Sequence, residues 1–319
     1  MTTAHPVRGR ALGPGQAGTG NARVSNSDRR RRRGTSGHGN IGWLFLTPSL
    51  IGVLIFIVVP LLWSLVLSVM NWQLGGAATF VGFDNYARLF QDEGFRTAAL
   101  NTTVYVAAFV PAVVILSLAM AAWIAAQKRQ KPIFRILYFL PFATPIVANM
   151  IVWKLMLTPG GLFSGLAGSG APNFLGTGSW AMTSLIVVSV WQSLGYNMLI
   201  LGAAIDAVPE SQLEAAEIDG AGALTRFRAI VLPMISPSLF FVVIITTIHA
   251  FQVFAQAYVL TGGGPGEATM TVVMFIFQKA FTELDFGYAS AAGWVLFFVI
   301  IIFTAIQGLV QRRNVNYDS

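Results

Sequence analysis

Cysteine is absent from all 319 residues, which excludes disulfides, thiolate metal sites and a cysteine nucleophile. Charge is scarce: Asp, Glu, Lys and Arg make up 10% of the chain, against about 25% in an average soluble domain. No Gly-Lys pair occurs, so the chain has no G-x-x-x-x-G-K-[ST] phosphate loop and should not bind or hydrolyse ATP itself. Metal-ligand spacing and paired catalytic acids are missing too, which argues against a membrane-embedded enzyme. In place of these groups stands apolar sequence, with 55% hydrophobic residues and a mean hydropathy of +0.66.

The net charge of +7 looks like a nucleic-acid signal until it is located. Eight of the twenty Lys and Arg lie in the first 40 residues, five of them consecutive from Arg29 to Arg33. That stretch is rich in Gly, Ser, Thr and Arg and has few large apolar residues, so residues 1–40 read as a disordered basic tail. RNA or anionic-lipid binding is one reading of it. A solvated tail that enforces membrane orientation is the simpler one, and no nucleic-acid partner is inferred.

Six apolar segments follow, near 42–70, 98–126, 135–157, 181–205, 236–260 and 287–310. Their length is that of membrane-spanning helices. The first is far longer than the apolar core of a signal peptide and should remain as a helix. With the N-terminus inside, the inner segments hold the eight tail arginines, Lys128, Arg129, Lys131, Arg226, Arg228, Arg312 and Arg313. Arg135 at the inner edge of the third span makes sixteen of twenty, and only Arg88, Arg96, Lys154 and Lys279 fall outside. That asymmetry places both termini in the cytoplasm. The outer segments are short: VGFDNYARLF reads as an amphipathic piece, 158–180 as a Gly- and Ser-rich one. TMTVVMFIFQKAF, after the turn-rich TGGGPG, reads as an outer-surface or re-entrant helix packed on its neighbours.

Between the fourth and fifth spans lies a charged island, the loop 206–235. It reads as helix, turn, helix. Pro209 suits the first helical position, Glu210 and Glu214 favour the positive end of the helix dipole, and Ala215 and Ala216 form helix with little bulk. Gly220 ends that helix and Gly222 keeps the turn flexible. Pro233 and Pro237 bracket re-entry into the membrane. By pattern alone this could be an ordinary amphipathic pair joining two spans. Asp206, Glu210, Glu214, Glu217 and Asp219 also look like a carboxylate metal cluster, but the loop reading explains most of them without a metal.

The spacing E-A-A-x3-G-x9-I-x-L-P, here Glu214, Ala215, Ala216, Gly220, Ile230, Leu232 and Pro233, resembles the cytoplasmic loop of ABC-importer permeases. FVGFDNYARLF, YFLPFATPIVANMIVWKLM, VLTGGGP and FGYASAAGWVLFF extend the likeness from about residue 42 to the end. They resemble sugar-importer permeases of the maltose-type group, specifically the first of two permease subunits in its shorter, six-span form. The resemblance implies an all-α membrane protein of six transmembrane helices with the MetI-like fold, covering 41–319. It implies half of a translocation pathway in the bacterial plasma membrane, shared with a second permease subunit. Two cytoplasmic ABC ATPases would bind ATP and Mg, and this chain would carry no cofactor or metal. An extracytoplasmic solute-binding protein would deliver the sugar. Glu214 to Gly220, with Asp219, would form the main contact helix in a groove of one ATPase. Glycerol-phosphate permeases share these motifs and are the nearest alternative. An ion-gradient-driven secondary transporter is the alternative from another class, although no Asp or Glu lies well inside a span.

Polar residues inside spans are the candidates for the solute pathway. His249, Gln252 and Gln256 fall on one helical face of the fifth span at i, i+3 and i+7. The fourth span offers Trp191, Gln192, Tyr196 and Asn197, and Asn149 and Trp153 share a face of the third. Each could instead hydrogen-bond a neighbouring helix. Pro111, Pro141 and Pro145 read as shaping the helices.

Overall fold

The computed structural model describes residues 39–127, 129–170 and 172–314. The basic tail therefore lies, but for Gly39 and Asn40, outside the described residues, as do Lys128 and the last five residues. The chain divides into two units at Val58 and Val59. The first holds helix α1 (Gly39–Val53) and a π-turn, Leu54–Val58. Most of its side chains from Leu46 on are apolar and exposed, Phe56 by 79%, as befits a helix whose solvent is lipid.

The second unit begins with α2 (Val59–Ser68), a two-stranded hairpin β1 (Met70–Asn71) and β2 (Thr79–Phe80), and α3 (Asp84–Gln91). The 33-residue α4 (Glu93–Ala125) follows. It starts five residues before the predicted apolar segment because Asp92 caps it, its Oδ1 accepting from Gly94 N at 2.8 Å and Phe95 N at 3.2 Å. Its buried residues Phe95, Ala98, Thr102, Tyr105, Phe109, Val113, Ser117, Ala121 and Ile124 recur every three or four positions, one continuous stripe along the helix. That stripe packs on α8 (Gly178–Asp206), with Tyr105, Phe109 and Val113 meeting Leu185 and Val188 in the largest core cluster.

The third span is not one helix over 135–157 but two, α5 (Lys131–Ala143) and α6 (Ile146–Leu157). Pro145 lacks the N–H needed to continue the ladder. The amide of Asn149 covers the break, donating to the Pro141 carbonyl at 2.8 Å and to Thr144 Oγ1 at 2.6 Å, which keeps that carbonyl satisfied at membrane depth. The short α7 (Leu162–Ala167) leads to α8. After α8 come α9 (Glu210–Ile218), α10 (Ala223–Arg226), a π-turn over Phe227–Val231 and α11 (Leu232–Met234).

The fifth span also departs from the prediction. Helix α12 (Ser236–Phe251) stops, and α13 (Ala255–Leu260) begins after a break at Gln252–Phe254. The carbonyl of Val253 is drawn out of the ladder by Thr271, whose Oγ1 donates to it at 2.9 Å. Alone, α12 is about 24 Å long, short of the roughly 30 Å apolar core of a bilayer. It qualifies as a span only together with Ala223–Met234, from which it is bent by 70°; among the described residues five other helices are long and apolar enough to cross. The segment TMTVVMFIFQKAF forms α14 (Val272–Phe277) and a π-turn, Gln278–Thr282, with Val272, Met274, Phe275 and Ala280 buried against their neighbours. Helix α15 (Phe286–Asn314) ends the described chain.

Candidate functional site: the loop between α8 and α12 and the adjacent groove

Helix α9 ends by a mechanism that fixes its glycine. Gly220 has φ +81°, its N–H donates to the Glu217 carbonyl at 3.0 Å, and the Ala221 N–H donates to Ala216 O at 2.9 Å. These two bonds are a Schellman cap, and the left-handed position is one where glycine carries no Cβ penalty. Pro209, expected at the first helical position, is instead the N-cap, one residue before Glu210, where the helix begins. Gly222 has φ −66° and caps α10, so the turn is formed by Gly220 rather than by flexibility at Gly222.

The motif separates into two halves with different surroundings. Glu214, Ala215, Asp219 and Gly220 are exposed and Ala216 is half-buried. Ile218 beside them is 86% exposed and Leu224 61%. The second half turns inward. Ile230 packs on a small core of Val208, Val231 and Ile235, which Ala204 and Ile205 of α8 and Leu118 of α4 complete. Leu232 is half-buried and Pro233 exposed. The loop therefore shows one helix to the outside and is seated on α4 and α8 by the other. An ion pair between Arg226 and Glu217 joins the two. Among the described residues no group of three or more His, Cys, Asp or Glu could hold a metal ion, so the acidic residues of the loop are not a clustered ligand set.

Asp206, the last residue of α8, accepts from both Lys131 and Arg135 of α5, the latter at 2.7 Å. Higher on the same pair of helices the backbones touch. A Cβ on Gly195 would lie 1.9 Å from the carbonyl oxygen of Tyr138 and 2.8 Å from Phe139 Cα. Beside this contact Tyr196 stacks on Phe142, ring centres 4.7 Å apart. These contacts frame an open groove of about 540 Å³, lined by aromatic and aliphatic side chains of α5 with Thr144, Asn149 and Trp191.

The predicted pathway residues do not form one set. Asn149 lines the groove while bonded to the α5–α6 break. Trp153 is parallel to Phe163 at 5.9 Å and edge-on to Trp191 at 5.2 Å, which places it behind the groove wall. Gln192 and Asn197 are buried, and Thr246 Oγ1 donates to Asn197 Oδ1 at 3.4 Å, an α8–α12 bond. The single face of His249, Gln252 and Gln256 is broken: His249 and Gln252 are exposed at the end of α12, and half-buried Gln256 lies beyond the break on α13. The groove residues Phe134, Leu137 and Tyr138 were not singled out from sequence. Their signal was the aromatic run FRILYFLPF next to two prolines.

A family model described as "Binding-protein-dependent transport system inner membrane component" matches residues 113–316. The chain is similar to YesP of Bacillus subtilis, named a probable ABC transporter permease protein, with 34% identity over 291 residues, 87% of this chain and 92% of the relative. It is also 34% identical over 281 residues to the sn-glycerol-3-phosphate transport system permease protein UgpA of Yersinia pestis, covering 86% and 95% of the two chains. Its fold matches a chain in a crystal structure of a bacterial alginate ABC transporter in complex with an alginate pentasaccharide-bound periplasmic protein. The TM-score is 0.77 at 22% identity, over 86% of this chain and 94% of that one.

Proposed function

The chain belongs to the family of binding-protein-dependent transport system inner membrane components, and from that premise we propose that it forms half of the pathway of an ATP-driven sugar importer. It is a multi-pass permease subunit of the inner membrane. In our reading a second permease completes the pathway, two cytoplasmic ATPases carry ATP and Mg, and an extracytoplasmic binding protein supplies the solute. Both termini face the cytoplasm, on the strength of sixteen of twenty cations falling on that side.

The observation that carries the coupling role is α9, an exposed helix with a fixed end, on a loop otherwise packed against α4 and α8. Glu214, Ala215, Ala216, Asp219 and Gly220 meet the ATPase in this reading; Ile230 holds the loop in its seat, followed by half-buried Leu232 and exposed Pro233. A rigid seat is what a docking helix needs if closure of the motor is to reach the spans. For the solute, the groove offers the aromatic faces of Tyr138 and Trp191 with the amide of Asn149 and the hydroxyl of Thr144, the mix of apolar faces and few polar groups typical of a ligand site. Import of a glycerol phosphate is the second reading, favoured by the likeness to UgpA. Against it, no lysine or arginine lines the groove among the described residues, and a phosphate would call for one.

Uptake into proteoliposomes carrying the complex purified through this chain tests the reading. Labelled di- and oligosaccharides and glycerol 3-phosphate would be offered with the binding protein. Uptake should require ATP on the ATPase side and the co-purified subunits. Transport by this chain alone, abolished by collapsing the ion gradient, would sink the importer in favour of a secondary carrier.

A further inference from the structure

Helix α5 is attached to α8 at three successive levels. At the loop end, Asp206 holds Lys131 and Arg135. In the middle, Gly195 abuts the Tyr138–Phe139 backbone. Higher still, Phe142 stacks on Tyr196. Beyond that level the attachment ends, because α5 stops at Ala143 and the chain turns at Thr144 and Pro145 into α6. The break carries no continuous helical ladder; its polar groups are met by the Asn149 amide, so α5 can swing about it with less loss than an unbroken helix would suffer.

Asp206 also stands three residues before the N-cap of α9. The bridge is short and bonded throughout: Ala207 N–H to the Ala203 carbonyl at 3.2 Å, Val208 N–H to Ile205 O at 3.2 Å, and Val208 itself in the small core under the loop. Displacement of α9 is thus delivered to the end of α8 without a flexible linker. From there Asp206 offers a direct path to α5, the helix that forms most of the groove wall.

We propose that the Asp206 carboxylate, through Lys131 and Arg135, is a positioning element that makes α5 follow the docking loop, with the Thr144–Pro145 break as its hinge. The proposal rests on the docking-loop reading above. Arg135 strengthens the geometry, since its guanidinium lies against Gly202, where a Cβ would come within 3.2 Å of it. The planar fork is therefore held on the face of α8 as well as on the carboxylate.

The absence of cysteine makes the test direct. Spin labels at Ile136→Cys on α5 and Leu155→Cys on α6, both exposed positions, report swing about the hinge in the purified complex with its ATPases. Distances are compared without nucleotide and with ATP and vanadate, so no solute is needed. The label pair should change separation on nucleotide trapping in the parent and in Asp206→Glu, which keeps the carboxylate. In Asp206→Asn the change should be lost or reduced about fivefold or more, while ATP hydrolysis by the complex continues. A full change in Asp206→Asn overturns the proposal, and so does the absence of any change in an ATP-hydrolysing parent complex. Should Asp206→Asn fail to assemble, Lys131→Gln/Arg135→Gln removes the same pairs from the α5 side, and persistence of the swing there overturns it equally. A parent chain that recovers no ATPase would instead refute the importer reading, a separate result.

Discussion

Two short helices stand outside the spans and could hardly differ more in how they are finished. Helix α9 buries none of its nine residues, and the apolar side chain at its end, Ile218, is almost fully exposed. Helix α14 buries Val272, Met274 and Phe275 out of six and is capped by Thr271, whose Oγ1 accepts from Met274 N at 3.4 Å. Neither is long enough to persist alone in water. Packing holds α14, whereas α9 is held by its Gly220 cap, by half-buried Leu213 against the core of Val208, Val231 and Ile235, and by the Glu217–Arg226 ion pair, and leaves most of its flank exposed.

The largest effect that separates them is on stability. Phe275→Ala in α14 removes a ring packed edge-on against Phe95 at 5.6 Å and Tyr288 at 6.1 Å and should cost about 3–5 kcal/mol, seen as a large fall in thermal midpoint in detergent. Gly220→Arg should do the opposite. Nothing lies within 4 Å of the added Cβ, so only the left-handed backbone penalty of about 1–2 kcal/mol falls on the cap. Membrane level and midpoint should stay near the parent's while ATP-driven uptake falls by at least about tenfold. Normal uptake by Gly220→Arg would erase the contrast.

The smallest effect concerns pH. Burial pushes the Asp92 carboxyl up, but the Tyr288 hydroxyl at 2.7 Å, the Phe95 and Gly94 N–H groups and nearby Lys279 outweigh it and hold it below the ordinary carboxylate range. A lowered folded value means stability that is present at neutral pH and lost as pH falls through that value. The junction of α3, α4 and α15 should therefore loosen in acid, below about pH 4. Asp92→Asn should flatten the acid limb of a midpoint-against-pH curve; an unchanged curve would remove Asp92 from the account.

What could be read in advance follows from how local each cause is. Gly220 was legible because a helix cap is decided within six residues, and the six apolar segments because lipid acts on every residue of a span alike. The early start of α4 was hidden because its first turn, EGFR, is polar and only the Asp92 cap marks it. The break after His249 was illegible: no glycine or proline stands at Gln252, Val253 or Phe254, and the cause is a hydroxyl at Thr271, eighteen residues on. For the same reason the partners of the fourth-span polar residues were hidden. Asn197 answers Thr246 and Tyr196 answers Phe142, partners that periodicity along one helix cannot reveal. Asp206 and Arg135 were visible as charges, not as a pair, since 71 residues separate them.

That separation has a consequence for biosynthesis. A chain enters the membrane from its N-terminus, so α5 is already inserted while the residues that will fix it are still being translated. Lys131 and Arg135 then act as unpaired cations that retain their end of the span on the side where it first came to rest. Only when α8 is complete does Asp206 arrive to neutralise them, Gly195 to admit the Tyr138 backbone, and Trp191 to close the groove. The same two charges thus suit topology first and pairing with Asp206 afterwards.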